Sequence, residues 1–112
     1  MDVDLHGYHP DDIDLAALVR EAWETGAPEL TLIHGHGRHR GISPGFVNTN
    51  TGYFGLRIRS ALRRETEFKQ WIKRSTLYCG HEGSTTVKLK PNPKPTRVAI
   101  DMDLVGPQRH PY

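Results

Sequence analysis

Residues 2–6 (Asp2, Val3, Asp4, Leu5, His6) alternate polar and apolar side chains, with Leu5 facing opposite to Asp4 and His6, which predicts a short half-buried strand stopping at Gly7. The period then changes. Leu15, Leu18, Val19, Ala22 and Trp23 recur at helical spacing, Pro10 suits a first helical turn, and Asp11, Asp12 and Asp14 complement its positive end. That helix should end at Thr25 and Gly26, with Gly26 in a left-handed cap and Pro28 preventing resumption. Residues 29–34 form a β-rich run. Strand, helix and strand within about thirty residues predict a right-handed parallel βαβ unit.

Residues 35–55 lose this periodicity and are dominated by Gly, His, Arg, Asn, Thr and Pro, a long loop of the kind that is usually functional or mobile. Residues 56–64 alternate bases with apolar positions and predict a basic amphipathic helix beginning near Tyr53 to Gly55, with Leu56, Ala61 and Leu62 as its apolar stripe. Residues 70–78 fit either a helical extension through Phe68, Trp71 and Ile72 or a strand ending at Cys79 and Gly80; the strand is preferred. The turn chemistry of residues 80–83 followed by the β-branched residues 84–90 predicts a closing hairpin. Pro91, Pro93 and Pro95 then make an extended tail that cannot join a central strand. There is no internal repeat.

With 112 residues, 36% of them hydrophobic, the chain can build one core of two layers and not two independent cores. No apolar run approaches the roughly 18 residues of a membrane span. The acidic start, Met1 to Asp4, lacks the features of a signal peptide, so a soluble cytoplasmic protein without membrane contact is expected. The single cysteine, Cys79, excludes an internal disulfide and a thiolate zinc cage. The net charge of +2 conceals segregation: residues 1–30 carry eight acids and one base, whereas residues 31–97 carry thirteen bases and three acids. An arginine-rich segment of this kind suits polyanions, because the guanidinium fork matches phosphate geometry. Solvated helix and strand faces would give the same composition.

Asp4 and His6 lie two apart on the first strand and so project from one face, where a carboxylate can orient an imidazole that moves protons near neutral pH. A histidine that merely caps the following helix is the structural alternative. The octet His34, Gly35, His36, Gly37, Arg38, His39, Arg40 and Gly41 leaves the end of the second strand. Its glycines permit backbone N–H groups to line up toward an anion, and its arginines and histidines add charge, so phosphate is the natural guest. In a parallel βαβ unit the carboxyl ends of both strands share one sheet edge, which brings His6 and Gly7 beside residues 34–37. A transition-metal site from His34, His36 and His39 with Asp4 is the competing reading, although this spacing matches no structural-zinc pattern. Arg57, Arg59, Arg63 and Arg64 could track a nucleic-acid backbone, and Phe46, Tyr53 and Phe54 could stack on bases or simply pack. Lys88, Lys90, Lys94 and Arg97 extend the basic track or protect an edge strand.

These residues resemble the small MutS-related (Smr) domain family over roughly residues 2–90. Val3, Asp4, Leu5 and His6 look like its opening L-D-x-H signature, with Val3 where leucine is usual. His34, Gly35, His36 and Gly37 look like its H-G-x-G signature, Leu56 and Arg57 like the pair opening its second helix, and residues 83–89 like its terminal glycine turn and strand. The departure is an insertion over residues 42–54 ahead of the arginine helix, with Asn48, Thr49, Asn50, Thr51 and Tyr53 as extra polar contacts.

The resemblance implies an α/β two-layer sandwich over residues 1–90, a four-stranded mixed sheet with two main helices similar to the C-terminal domain of bacterial translation initiation factor three. Residues 91–112 would form a Pro-rich tail. It also implies binding of DNA or RNA and an endonuclease that nicks DNA or cleaves RNA, with a non-catalytic binding module as the alternative reading and a protein-interaction domain as a third. The catalytic candidates are Asp4, His6, His34 and His36. The nucleic-acid-binding candidates are Gly35, Gly37, Arg38, His39, Arg40, Leu56, Arg57, Arg59 and Arg63. A divalent ion such as Mg is compatible with water activation at Asp4, and an RNA 2′-hydroxyl attack needs none. A monomer is expected.

Overall fold

A computed structural model of the chain describes residues 1–8, 10–35 and 53–105. Its strands are β1 (Asp2–Asp4), β2 (Glu29–Ile33), β3 (Ile72–Tyr78) and β4 (Ser84–Leu89), and its helices α1 (Leu15–Glu24) and α2 (Tyr53–Arg64). Short 3-10 turns occupy Pro10–Asp12, Thr66–Gln70 and Met102–Val105. The strands form one sheet in the order β1-β2-β4-β3. β1 and β2 are parallel, as a helical crossover through α1 requires, and β4 is antiparallel to both β2 and β3. The fold is therefore α/β, a four-stranded mixed sheet with two helices.

Alternation along the strands explains the layering. Val3, Leu30, Leu32, Val87, Leu89 and Ile72 are buried, and they share one core cluster with Leu18, Val19 and Ala22 of α1 and Ile58 and Leu62 of α2. Among the described residues, no second layer of this kind packs on the other face of the sheet. That face is assembled from three rows of paired residues, which point to one side because paired residues do. The first row is Asp4, Ile33 and Ser84; the second is Asp2, Thr31, Thr86 and Tyr78; the third is Glu29, Lys88 and Lys73. Thr31 and Thr86 join across the second row through their hydroxyls at 2.8 Å.

Two expectations need correction. Pro10 to Asp12 form a separate turn, and α1 begins at Leu15 because Asp14 acts as its N-cap, its Oδ1 accepting from the Ala17 N–H at 3.0 Å. In α2 the buried face is Ile58, Arg59 and Leu62 with Ala61 half-buried, whereas Leu56 is 41% exposed. Leu56 lies two positions before Ile58, about 160° round the helix, so the two cannot share a face.

Residues 91–105 form no strand and return across α1. Asn92 Nδ2 donates to the Trp23 carbonyl, Thr96 N to the Glu24 carbonyl, and Asp101 N to Glu21 Oε1 at 2.8 Å. Gly26 has a φ of +81°, the expected left-handed cap, and a Cβ there would meet Pro95 Cγ at 2.7 Å. No helix among the described residues is long and apolar enough to cross a membrane.

Candidate functional site

β1 ends at Asp4, and the Leu5 N–H continues the ladder to the Ile33 carbonyl at 2.8 Å. The exposed Asp4 carboxylate accepts the backbone N–H of His6 at 2.9 Å, a local turn that fixes where the imidazole leaves the chain. Gly7 then takes a φ of +87°, which turns the backbone away. On the neighbouring strand the chain reaches Gly35, at φ +84°, where an added Cβ would lie 2.7 Å from His6 Cδ2. The His6 ring therefore rests against a backbone that only glycine provides, and the first signature meets His34 and Gly35, the described start of the second, at one sheet edge.

The turn between β3 and β4 closes this edge from the other side. Gly83 carbonyl accepts from the N–H groups of both His34 and Gly35 at 3.0 Å. Asp4, His6, Ile33, Gly35, His81, Gly83 and Ser84 together line an open groove of about 440 Å³. Three rings and backbone amides of this edge thus have distinct places: the exposed imidazoles of His6 and His81 line the groove, and the His34 ring lies behind it.

His34 is 4% exposed. Its Nε2 lies 3.0 Å from Thr85 Oγ1 and its Nδ1 3.0 Å from the Gly35 carbonyl. Arg59, 7% exposed, donates from Nε to the same Thr85 Oγ1 at 2.8 Å and from Nη2 to the carbonyls of His81 and Ser84. A neutral imidazole protonated on Nδ1 satisfies this chain: Arg59 donates to the Thr85 hydroxyl, the hydroxyl to Nε2, and Nδ1 to the Gly35 carbonyl. The structure therefore places two expected site residues inward. His34 and Arg59 clamp the groove's walls instead of facing it, because the buried Thr85 hydroxyl needs partners there and Arg59 also reaches the partly buried turn carbonyls. The Gly35 N–H likewise points to Gly83 and not toward an anion.

Of the remaining candidates, Arg57 lies on α2 with Nη1 2.8 Å from Asp11 Oδ1, and Arg63 Nη2 lies 3.5 Å from Cys79 Sγ. Leu56 is exposed on the same helix. His36, Gly37, Arg38, His39 and Arg40 lie outside the described residues, as does the greater part of the 42–54 insertion. Among the described residues no group of three or more His, Cys, Asp or Glu side chains converges to hold a metal ion. Sequence reasoning passed over His81 and Tyr78. His81 was visible only as turn chemistry, and its approach to His6 depends on β4 pairing with β2, a contact between segments some fifty residues apart.

The Smr domain family model matches residues 3–90, spanning all four strands and both helices. No curated protein and no solved structure matches the chain. With residues 3–90 of its 112 residues matched, the chain belongs to the Smr domain family.

Proposed function

We propose that the protein cleaves phosphodiester bonds in nucleic acid, with the groove between Asp4, His6, Gly35, His81 and Ser84 as the reaction site. Membership of the Smr family supports nucleic acid as the ligand class. The observation that carries the reading is the seat of His6: an exposed imidazole held against Gly35, with its backbone N–H tied to the Asp4 carboxylate. An imidazole so placed takes the proton from an attacking oxygen as the new P–O bond forms, and returns it to the leaving oxygen as the old bond breaks. Asp4 stabilises the imidazolium through its negative charge. His34 and Arg59 act as positioning residues that hold Gly35 and the β3–β4 turn at the correct separation. In the segment that follows Gly35 in sequence, Arg38 and Arg40, with His36 and His39, are proposed to supply the charge that meets the phosphate, and Gly37 the backbone freedom between them. No step in this scheme runs through a metal ion.

Supercoiled plasmid and a structured RNA, each incubated with and without chelator, test the proposal. The wild type should cut at least one substrate, and His6→Ala and Asp4→Ala should lose cutting while keeping affinity. Cleavage at the same rate by wild type and the double variant would remove the groove from the chemistry. Binding without cutting by the wild type would make the protein a non-catalytic nucleic-acid module that uses the same edge.

A further inference from the structure

The exposed face of the sheet runs directly from the groove. Its first row, Asp4, Ile33 and Ser84, forms part of the groove lining. Its second row ends in Tyr78, which is 55% exposed. Successive rows lie about 7 Å apart along the strands.

Tyr78 reaches this face through an irregularity in β3. Lys73 pairs with Lys88, and Tyr78 with Thr86, so five positions along β3 match two along β4. Regular alternation from Lys73 would send residue 78 to the helix side. The bulge, in which Thr76 Oγ1 accepts the Lys88 N–H at 2.9 Å, reverses the parity and turns the tyrosine outward. Apolar burial would favour the opposite orientation.

The ring is also held. Its hydroxyl end passes over Gly80, where any Cβ would lie 2.3 Å from the tyrosine oxygen. His81 meets it edge to face, with centroids 6.3 Å apart. The same His81 lines the groove, and its carbonyl accepts from the buried Arg59 guanidinium. One row further, Lys73 and Lys88 stand opposite each other, with Glu29 facing Lys88 from the other side.

We propose that this face is a platform for unpaired nucleotides: Tyr78 stacks on a nucleobase next to the bond held in the groove, and Lys73 and Lys88 meet the following phosphates. The substrate class is single-stranded nucleic acid, or an unpaired segment of a folded one, because a base inside a duplex presents no free ring face. This inference rests on the groove being the nucleic-acid site.

Fluorescence anisotropy with labelled mixed-sequence oligonucleotides, as single-stranded DNA, single-stranded RNA and their duplexes, tests it. The wild type should bind at least one single strand more tightly than its duplex. Tyr78→Ala should weaken single-strand binding about tenfold, within the range for one stacked base, and leave duplex binding unchanged. Tyr78→Phe, which keeps the ring, should bind like wild type. Because Tyr78 is exposed, both variants should fold, and far-UV circular dichroism verifies this. Unchanged single-strand affinity in Tyr78→Ala, while the wild type binds single strands, overturns the platform alone. Absence of binding to every oligonucleotide by the wild type overturns the nucleic-acid site itself.

Discussion

Two glycines with nearly the same backbone angle separate stability from function at the residue scale. Gly26, at φ +81°, accommodates Pro95 at the far end of α1, and Gly35, at φ +84°, accommodates the His6 ring. Alanine at either position forces a left-handed conformation on a residue with a Cβ and should destabilise the fold by about 1–3 kcal/mol. Only Gly35→Ala should also displace the His6 imidazole, so its His6 ring resonances should shift and cleavage should fall, while Gly26→Ala keeps both as in wild type. Equal loss of cleavage in the two variants, at matched fraction folded, would falsify the assignment of Gly35 as the seat of His6. Arg59 makes a different residue-scale argument. Its guanidinium is buried against Thr85 and two carbonyls, so Arg59→Ala should cost about 2–3 kcal/mol in denaturant-melt stability. Arg57, paired with Asp11 where both side chains are substantially exposed, should cost less than about 1 kcal/mol when replaced.

Among the elements, α1 shows how far the sequence reading reached. The i, i+3, i+4 recurrence located the helix, and the Gly26 and Pro28 pair located its end, because both depend on local backbone chemistry alone. The first strand followed from alternation, the second from a β-rich run, and the β3–β4 hairpin from turn residues beside a β-branched run. The sequence did not reveal which arginine of α2 is buried. That depends on Thr85 and the turn carbonyls of His81 and Ser84, which arrive from β4 and cannot be inferred from helical period. The bulge that turns Tyr78 outward was illegible for the same reason. The tail was read as extended, but its docking on α1 went unseen. Glu21, 4% exposed, explains the docking: its Oε1 lies 3.3 Å from Arg97 Nη1 and accepts the Asp101 N–H, while Arg97 Nε also reaches Glu24 at 3.3 Å. Glu21→Ala removes an acceptor buried under the tail and should lower stability by about 1–2 kcal/mol, the ion-pair part being discounted because Arg97 is 36% exposed. Amide exchange should speed up at Asp101 and Thr96 more than in the sheet; uniform acceleration across the protein would show that the tail is no separate element.

At the scale of the molecule, ion pairs among the described residues partly undo in space the charge segregation along the chain. The acidic first segment folds back on the basic one: Asp11 pairs with Arg57, and Glu21 and Glu24 with Arg97. Arg59 is withdrawn into the interior. The excess of bases over residues 31–97 therefore overstates the charge available to a polyanion, and neutralising Arg57, Arg59 and Arg63 together would mix loss of binding with loss of fold. The informative variant is Arg57→Ala with Arg63→Ala, which leaves the Arg59 clamp intact. If both side chains displace counterions from a single-stranded ligand, the slope of log affinity against log salt should flatten by about 1.4. Arg57 must leave Asp11 to do so, so Asp11→Asn, which weakens that ion pair without touching the groove, should strengthen binding at low salt. A slope unchanged in the double variant, with Asp11→Asn neutral, would place the ligand wholly on the strand side of the molecule, along the groove and the face bearing Tyr78, Lys73 and Lys88.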